Sequence, residues 1–493
     1  MKLKTSIFAL LFVAMSTVAL AAEPLKVAKI FTDHMVFQQE TSAPVWGWGT
    51  PGSKVVVKPS WSKQSYATKV GEDQTWRVAL DTPSHGGPYS VNITCGKEQI
   101  ELSDVFVGEV WICSGQSNME MPLAGFVTSN QPVNESLETS IKAINYGDRI
   151  RMFTVPRNPA EEAPVKDLPS GEWKRASFES SASCSAIAYF FAEYITDAID
   201  VPVGVIVSAW GGTEIRPWTP RDYYEEALKG LVSDEERAKL TAKIDRYKGR
   251  PRTAGALYNG MIHPFKGFAA RGFLWYQGCA DARNCIYYDK LQAAMVASWR
   301  QMWGDTEAKM PFYYVLIAPY HYGAKAEGFY RGYFVENQAK AAKITPNSAY
   351  ASTEGLGAGP IIHPAEKKPV SRQLALLALD RTYGVEGIKS GSPEVKKITL
   401  ANGKYVVEFE KGKNLLTPPG EAICGFEIAG EDKVFHPASA KVAGDRIIVN
   451  VPNEVAEPAA LRYSFRNGSM SNVRSKFGFP LIPFRTDDWT VQK

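Results

Sequence analysis

Residues 109–120 read Glu109-Val110-Trp111-Ile112-Cys113-Ser114-Gly115-Gln116-Ser117-Asn118-Met119-Glu120. The stretch opens as a short apolar run and breaks at small and amide residues, the pattern of a strand buried on both faces that ends in a turn. Runs of the same kind recur at residues 203–207, 272–276 and 312–317. Between them, residues 186–199, 288–303 and 371–383 carry apolar side chains at the three-and-four spacing of a helix with one buried face. Strand and helix in alternation predict an α/β region whose parallel sheet is covered on both faces. Ligands of such sheets bind beyond the carboxyl ends of the strands, so chemistry is expected in the residues that follow each apolar run.

Outside this region the text changes. Residues 23–105 hold short β-type runs, such as Pro44-Val45-Trp46-Gly47-Trp48-Gly49 and Lys54-Val55-Val56-Val57, punctuated by turn residues. That predicts an N-terminal β-sandwich domain. Residues 106–386 carry the alternating strands and helices, with a charged helical insertion at about 228–248. Residues 387–493 return to alternating strands, Lys404-Tyr405-Val406-Val407-Glu408-Phe409 being the clearest, and predict a C-terminal β-rich domain. Residues 1–22 have the form of a secretory signal peptide: Lys2 and Lys4 precede an apolar run that ends in Ala19-Leu20-Ala21. The apolar run is shorter than the roughly 20 residues of a membrane span, so export to a periplasm or the exterior is expected, without a membrane anchor.

Hydrophobic residues make up 45% of the 493 positions and charged residues 22%, which excludes disorder and coiled coil. There are 56 basic and 52 acidic side chains, and removal of Lys2 and Lys4 leaves the chain close to neutral. No nucleic-acid partner is expected from that balance. The six cysteines show no metal-site spacing, and Cys279 and Cys285 stand as either a local disulfide or two free thiols. The chain has no Walker loop or dinucleotide-binding glycine run, so neither a cofactor nor a metal is expected.

Ser117 is the candidate nucleophile, because a serine set where a buried strand turns presents its Oγ clear of the backbone while nearby N–H groups face the developing oxyanion. A serine in a turn is commonplace by itself. Its company at other strand ends strengthens the reading. Trp210-Gly211-Gly212 follows the run at 203–207, where a glycine pair brings a backbone N–H close to a substrate, and Gln277 follows the run at 272–276 with an amide to donate. Of the six histidines, His263 and His363 each lie in an Ile-His-Pro triplet. His363 is favoured as the base because it follows a late strand end, after Gly355-Leu356-Gly357-Ala358-Gly359, whereas His263 precedes the strand that carries Trp275.

The runs GEVWICSGQSNMEM, VIVSAWGGTEIRPW, ALYNGMIHP, RGFLWYQG and IIHPAEKKPVSRQLALLAL resemble the successive blocks of the sialate O-acetylesterase family, a branch of the SGNH hydrolases. FTDHMVFQQETSAPVWGWGTPG and GFPLIPFRTDDW resemble the opening and closing parts of that family, so the likeness covers nearly the whole chain. The resemblance implies a three-layer SGNH-hydrolase-like domain with β-rich domains on either side. It also implies an esterase that removes acetyl groups from sugars, O-acetylated sialic acids foremost. Carried over by position, Ser117 matches the nucleophile and His363 the base, while Ser117, Gly211 or Gly212, and Gln277 match the oxyanion hole. Two departures stand out. Ile361 and Pro360 fill the places before the histidine where the family usually has an Asp, and Gly278-Cys279 replaces the common Gly-Glu. Glu354 is the nearest substitute for the orienting carboxylate, its alternative being a solvated strand-end acid, and a Ser-His dyad is the other possibility. Trp210, Trp218, Trp275 and Tyr276 are candidates to stack on a sugar ring or to fill the core. Arg216 is a candidate for a sialic acid carboxylate or for an ion pair. An acetylxylan esterase, and an exported carbohydrate-binding protein with a decayed site, are the competing functional readings.

Overall fold

The apolar run at 109–113 lies inside a strand of 18 residues, β1 (Glu98–Gly115), which passes directly into a single helical turn, α1 (Ser117–Glu120). In this computed structural model the described residues are 23–489, except 128–131, 243–248, 283–284, 325–327, 358, 411–414, 416 and 418–420. The expected signal peptide and the end of the expected insertion lie outside them. Six further strands continue the sheet around the second half of β1: β2 (Ile150–Thr154), β3 (Trp173–Arg175), β4 (Val203–Ala209), β5 (Gly272–Tyr276), β6 (Phe312–Val315) and β7 (Ser348–Ala351). Their order is β3-β2-β4-β1-β5-β6-β7, and every neighbouring pair is parallel except β2 and β3.

Alternate residues of each strand enter different apolar clusters, as the pleat requires. Trp111 and Cys113 pack with α2 (Ala186–Ile199) and α5 (Lys367–Leu377), whereas Val110 and Ile112 share a core with α3 (Tyr288–Trp303) and α4 (Tyr330–Ile344). Two of these helices have the bounds read from the periodicity. The third, α5, begins four residues before its expected start, because Pro369 falls in the first turn, where a missing N–H is harmless. The described part of the expected insertion holds a short helix, Asp234–Thr241.

The first half of β1 belongs to a different environment. There it pairs with Gly86–Cys95 and Val36–Gln38, and the residues before it form antiparallel strands such as Ser42–Trp48 against Thr75–Asp81. Leu25, Phe31 and Trp76 belong to the same buried cluster as Phe273 and Trp299, so β1 joins two sheets over one continuous core. Beyond residue 394 the chain forms two four-stranded antiparallel sheets around their own cluster. A buried ion pair ties this part to the parallel sheet: Glu354, just after β7, meets Arg331 of α4 and accepts a 2.8 Å hydrogen bond from the Ser464 hydroxyl. Arg331 also donates to the Ser464 carbonyl at 3.3 Å. No helix among the described residues is long and apolar enough to cross a membrane.

Removing one partner of a buried ion pair leaves the other charge uncompensated. Glu354→Ala should therefore lower stability by about 3–5 kcal/mol, and the apolar double replacement Arg331→Met/Glu354→Leu should recover most of the loss. Urea unfolding of the three proteins checks this.

Candidate active site

Register brings the ends of three strands level. Gly115 of β1 stands opposite Ala209 of β4 on one side and Tyr276 of β5 on the other. Gly115 has a φ of 139°, and a Cβ there would lie 2.3 Å from the Tyr276 carbonyl oxygen, so only glycine permits the approach. The Gln116 N–H donates to that carbonyl at 3.0 Å, and the chain then winds into α1. Ser117 is the first helical residue, so its N–H has no intrahelical partner.

His363 reaches this point from the loop between β7 and α5. Its Nε2 lies 2.8 Å from Ser117 Oγ, across 246 positions of sequence. With the ring carrying its proton on Nδ1, the serine hydroxyl donates to Nε2. Phe126 packs edge-on to the imidazole with centroids 5.3 Å apart. Burial, and then the Lys367 charge, lower the His363 pKa to about 4. Among the described residues no hydrogen-bond acceptor holds Nδ1.

The two glycines left open by sequence differ in their surroundings. The Gly211 N–H donates to Glu120 Oε2 at 2.7 Å, and Glu120 in turn pairs with Arg157. Gly212, at φ 72°, has no partner for its N–H among the described residues, and the Arg250 guanidinium packs over its Cα. Gly212, rather than Gly211, therefore has a donor to spare.

Several expected positions lie elsewhere. Gln277 is fully buried, and its Nε2 donates to Gln116 Oε1, the Thr213 carbonyl and Asp281 Oδ2 at 3.2, 3.0 and 2.6 Å. Its Oε1 accepts from the Tyr288 hydroxyl at 2.6 Å, so this amide binds strand ends together and donates nothing into the cleft. Glu354 does not orient His363; its two carboxylate oxygens face Arg331 and Ser464. Arg216 is buried against Glu214 at 2.9 Å and the Leu240 carbonyl at 3.0 Å, an internal ion pair in place of a ligand contact. Trp275 is core, edge-on to Trp218 and Trp299, because a residue inside a doubly covered strand points under a helix. Tyr276 and Trp218 are likewise buried. Of the expected aromatics only Trp210 lines the cleft, with the Arg157 guanidinium 5.1 Å from its ring centroid. His263 is remote in role: its Nδ1 meets the Val165 carbonyl and its Nε2 meets Lys266. Cys279 is a free, buried thiol.

The cleft over Ser117 and His363 encloses roughly 540 Å³. Glu120, Phe126, Arg157 and Arg250 also line it, and none of them was singled out from the sequence. Glu120 carried a signal, since three residues after Ser117 it shares the same helical face. The arginines and Phe126 come from loops that have no local pattern. Among the described residues no group of three His, Cys, Asp or Glu side chains is arranged to hold a metal ion.

Residues 107–369 match the family model described as carbohydrate esterase, sialic acid-specific acetylesterase. The chain is 30% identical to the rat sialate O-acetylesterase over 426 residues, which is 76% of each protein. It is 29% identical to the human sialate O-acetylesterase over 414 residues, covering 78% of this chain and 76% of that one. A crystal structure of a carbohydrate acetylesterase from Xanthomonas citri superposes with a TM-score of 0.82 at 31% identity, covering 94% of this chain and all of that one. With a family model matched over more than half of the chain and relatives of this identity and extent, the chain belongs to the sialic acid-specific acetylesterase family of carbohydrate esterases, hydrolases of acetyl esters on sugars.

Proposed function

We propose that this chain releases acetate from O-acetylated sialic acids by two-step acyl transfer, with Ser117 as nucleophile and His363 as general base and acid. The observation that carries the reading is the 2.8 Å contact between Ser117 Oγ and His363 Nε2. In the first step Oγ attacks the acetyl carbonyl carbon while Nε2 takes the hydroxyl proton. The tetrahedral oxyanion is met by the N–H groups of Ser117 and Gly212. His363 then returns its proton to the departing sugar oxygen, leaving an acetyl-serine. Water, deprotonated by the same imidazole, releases acetate and restores the serine. Glu354 is engaged elsewhere, so Ser117 and His363 work as a dyad.

The sugar is inferred from charge. Arg157 and Arg250 flank the cleft beside Trp210, and Arg250 has no ion-pair partner among the described residues. An aromatic face with a free guanidinium suits a sugar that carries a carboxylate, and acetylxylan offers no such group. We also read residues 106–386 as a three-layer domain of SGNH-hydrolase type, residues 23–105 and 387–493 as flanking β-rich domains, and residues 1–22 as a signal peptide that directs export.

Ser117→Ala should lower kcat for acetate release by about 10⁴-fold or more while leaving the thermal unfolding midpoint in place; full activity in this variant removes the assignment. The base acts only when neutral, and its lowered pKa keeps it neutral in moderately acidic solution. The acid limb of the kcat/KM profile should accordingly lie near pH 4, below the roughly 6.5 of a free imidazole. Acetate release from O-acetylated sialic acid should exceed that from acetylxylan. Arg250→Ala should raise KM for the former about tenfold and leave the latter unchanged, as steady-state assays on both substrates can establish.

A further inference from the structure

Behind the Ser117–His363 contact lies a buried lysine with no carboxylate. Lys367, in the first turn of α5, is 1% exposed, and its Nζ donates to Asn118 Oδ1 at 2.5 Å. Its ammonium stands 5.6 Å from the Tyr276 ring centroid. Among the described residues no acid lies within ion-pair distance of it. Asn118, fully buried, uses its other end to donate from Nδ2 to the Ile362 carbonyl at 3.0 Å. An ammonium only donates and a carbonyl only accepts, so this amide fits between them in one orientation alone. Asn118 follows the nucleophile in sequence and Ile362 precedes the histidine. The chain Lys367–Asn118–Ile362 thus joins the two halves of the reacting pair.

We propose that Lys367 and Asn118 are positioning residues that act in place of the orienting carboxylate, with Lys367 holding the Asn118 amide and Asn118 holding the His363 loop against the Ser117 turn. The inference rests on the Ser117–His363 reading above. A triad acid fixes the imidazole through Nδ1; here the backbone of the preceding residue is fixed instead, and the ring is then set by its edge-on contact with Phe126. A buried ammonium without a counter-ion is costly, and burial lowers the pKa of Lys367 to about 7. Its charge also disfavours a proton on His363. The other ionisable groups around the histidine and the lysine are the Cys279 thiol, the Tyr322 phenol that donates to that thiol, the Glu366 carboxylate, whose charge acts on Lys367 from beyond ion-pair distance, and, across the cleft, Glu120, Arg157 and Arg250.

The test uses the full-length protein and 4-nitrophenyl acetate, a neutral ester that needs no sugar contacts. Lys367→Met keeps length and removes the charge; Asn118→Asp keeps the acceptor toward Lys367 and removes the donor toward Ile362. Each should lower kcat by about tenfold or more, with KM within about threefold of the parent. In Lys367→Met the acid limb of kcat/KM should also move upward, because a neighbouring positive charge is gone. A kcat within about twofold of the parent in either variant overturns the proposal, and so does a loss in Lys367→Met without movement of the acid limb, which is the behaviour of a merely structural lysine. Should Lys367→Met fail to fold, Asn118→Asp decides alone. Reaction of the unmodified protein with a fluorophosphonate keeps the two readings apart. Without label at Ser117 the dyad falls and takes the strut with it, whereas label at Ser117 together with unimpaired variants removes the strut only.

Discussion

The Tyr276 carbonyl accepts a hydrogen bond from the Gln116 N–H through the space that a side chain on Gly115 would fill. That contact fixes the point at which β1 stops and α1 starts, and with it the height of Ser117 above the sheet. Gln116 then turns its own side chain inward, where Oε1 accepts the N–H groups of Gly278 and Ala280 at 3.1 and 3.3 Å and the Gln277 amide at 3.2 Å. Gln277 extends the lock to Thr213, beyond β4, and to Tyr288 at the start of α3. Three strand ends are therefore bound to one another through the Gln116 carbonyl oxygen and both ends of the Gln277 amide, and buried polar groups paired in this way rigidify a core.

On this floor the charges are distributed unevenly. The side facing solvent carries Glu120 paired with Arg157, so the carboxylate nearest the Gly211 N–H is compensated rather than left to oppose an oxyanion. The side facing the core carries Lys367, with no acid within ion-pair distance among the described residues. Between them sits the imidazole of His363, whose pKa is lowered by burial first and by the Lys367 charge second. On the proposed dyad reading the base is available over a wide pH range but weakly basic, so positioning and the oxyanion donors would carry a larger share of the catalytic burden than in a site with a carboxylate behind the histidine.

The departures from expectation share one geometric cause. Trp275 and Tyr276 are strand residues, and in a sheet covered on both faces every strand side chain points beneath a helix. Only residues past the strand end, Ser117, Trp210 and Gly212 among them, reach the cleft. Glu354 and Arg216 sit near strand ends as well, but a charged side chain whose partner comes from a distant segment is drawn to that partner: Arg331 and Ser464 in one case, Glu214 and the Leu240 carbonyl in the other. Local text does not record such partners.

What the sequence by itself determined were the periodic elements, with the ends of α2 and α3 but not of α5, because burial on two faces or on one leaves a repeating signature in neighbouring residues. The positions of Ser117, His363 and the glycine pair at strand ends followed from that signature alone. Tertiary structure alone decided which of these groups touch, which glycine keeps a free N–H, and that Lys367 rather than an acid stands behind the pair. Those outcomes depend on distances between atoms as much as 249 positions apart, and such distances are set by packing and hydrogen-bond closure across the sheet, for which no stretch of consecutive residues carries the pattern.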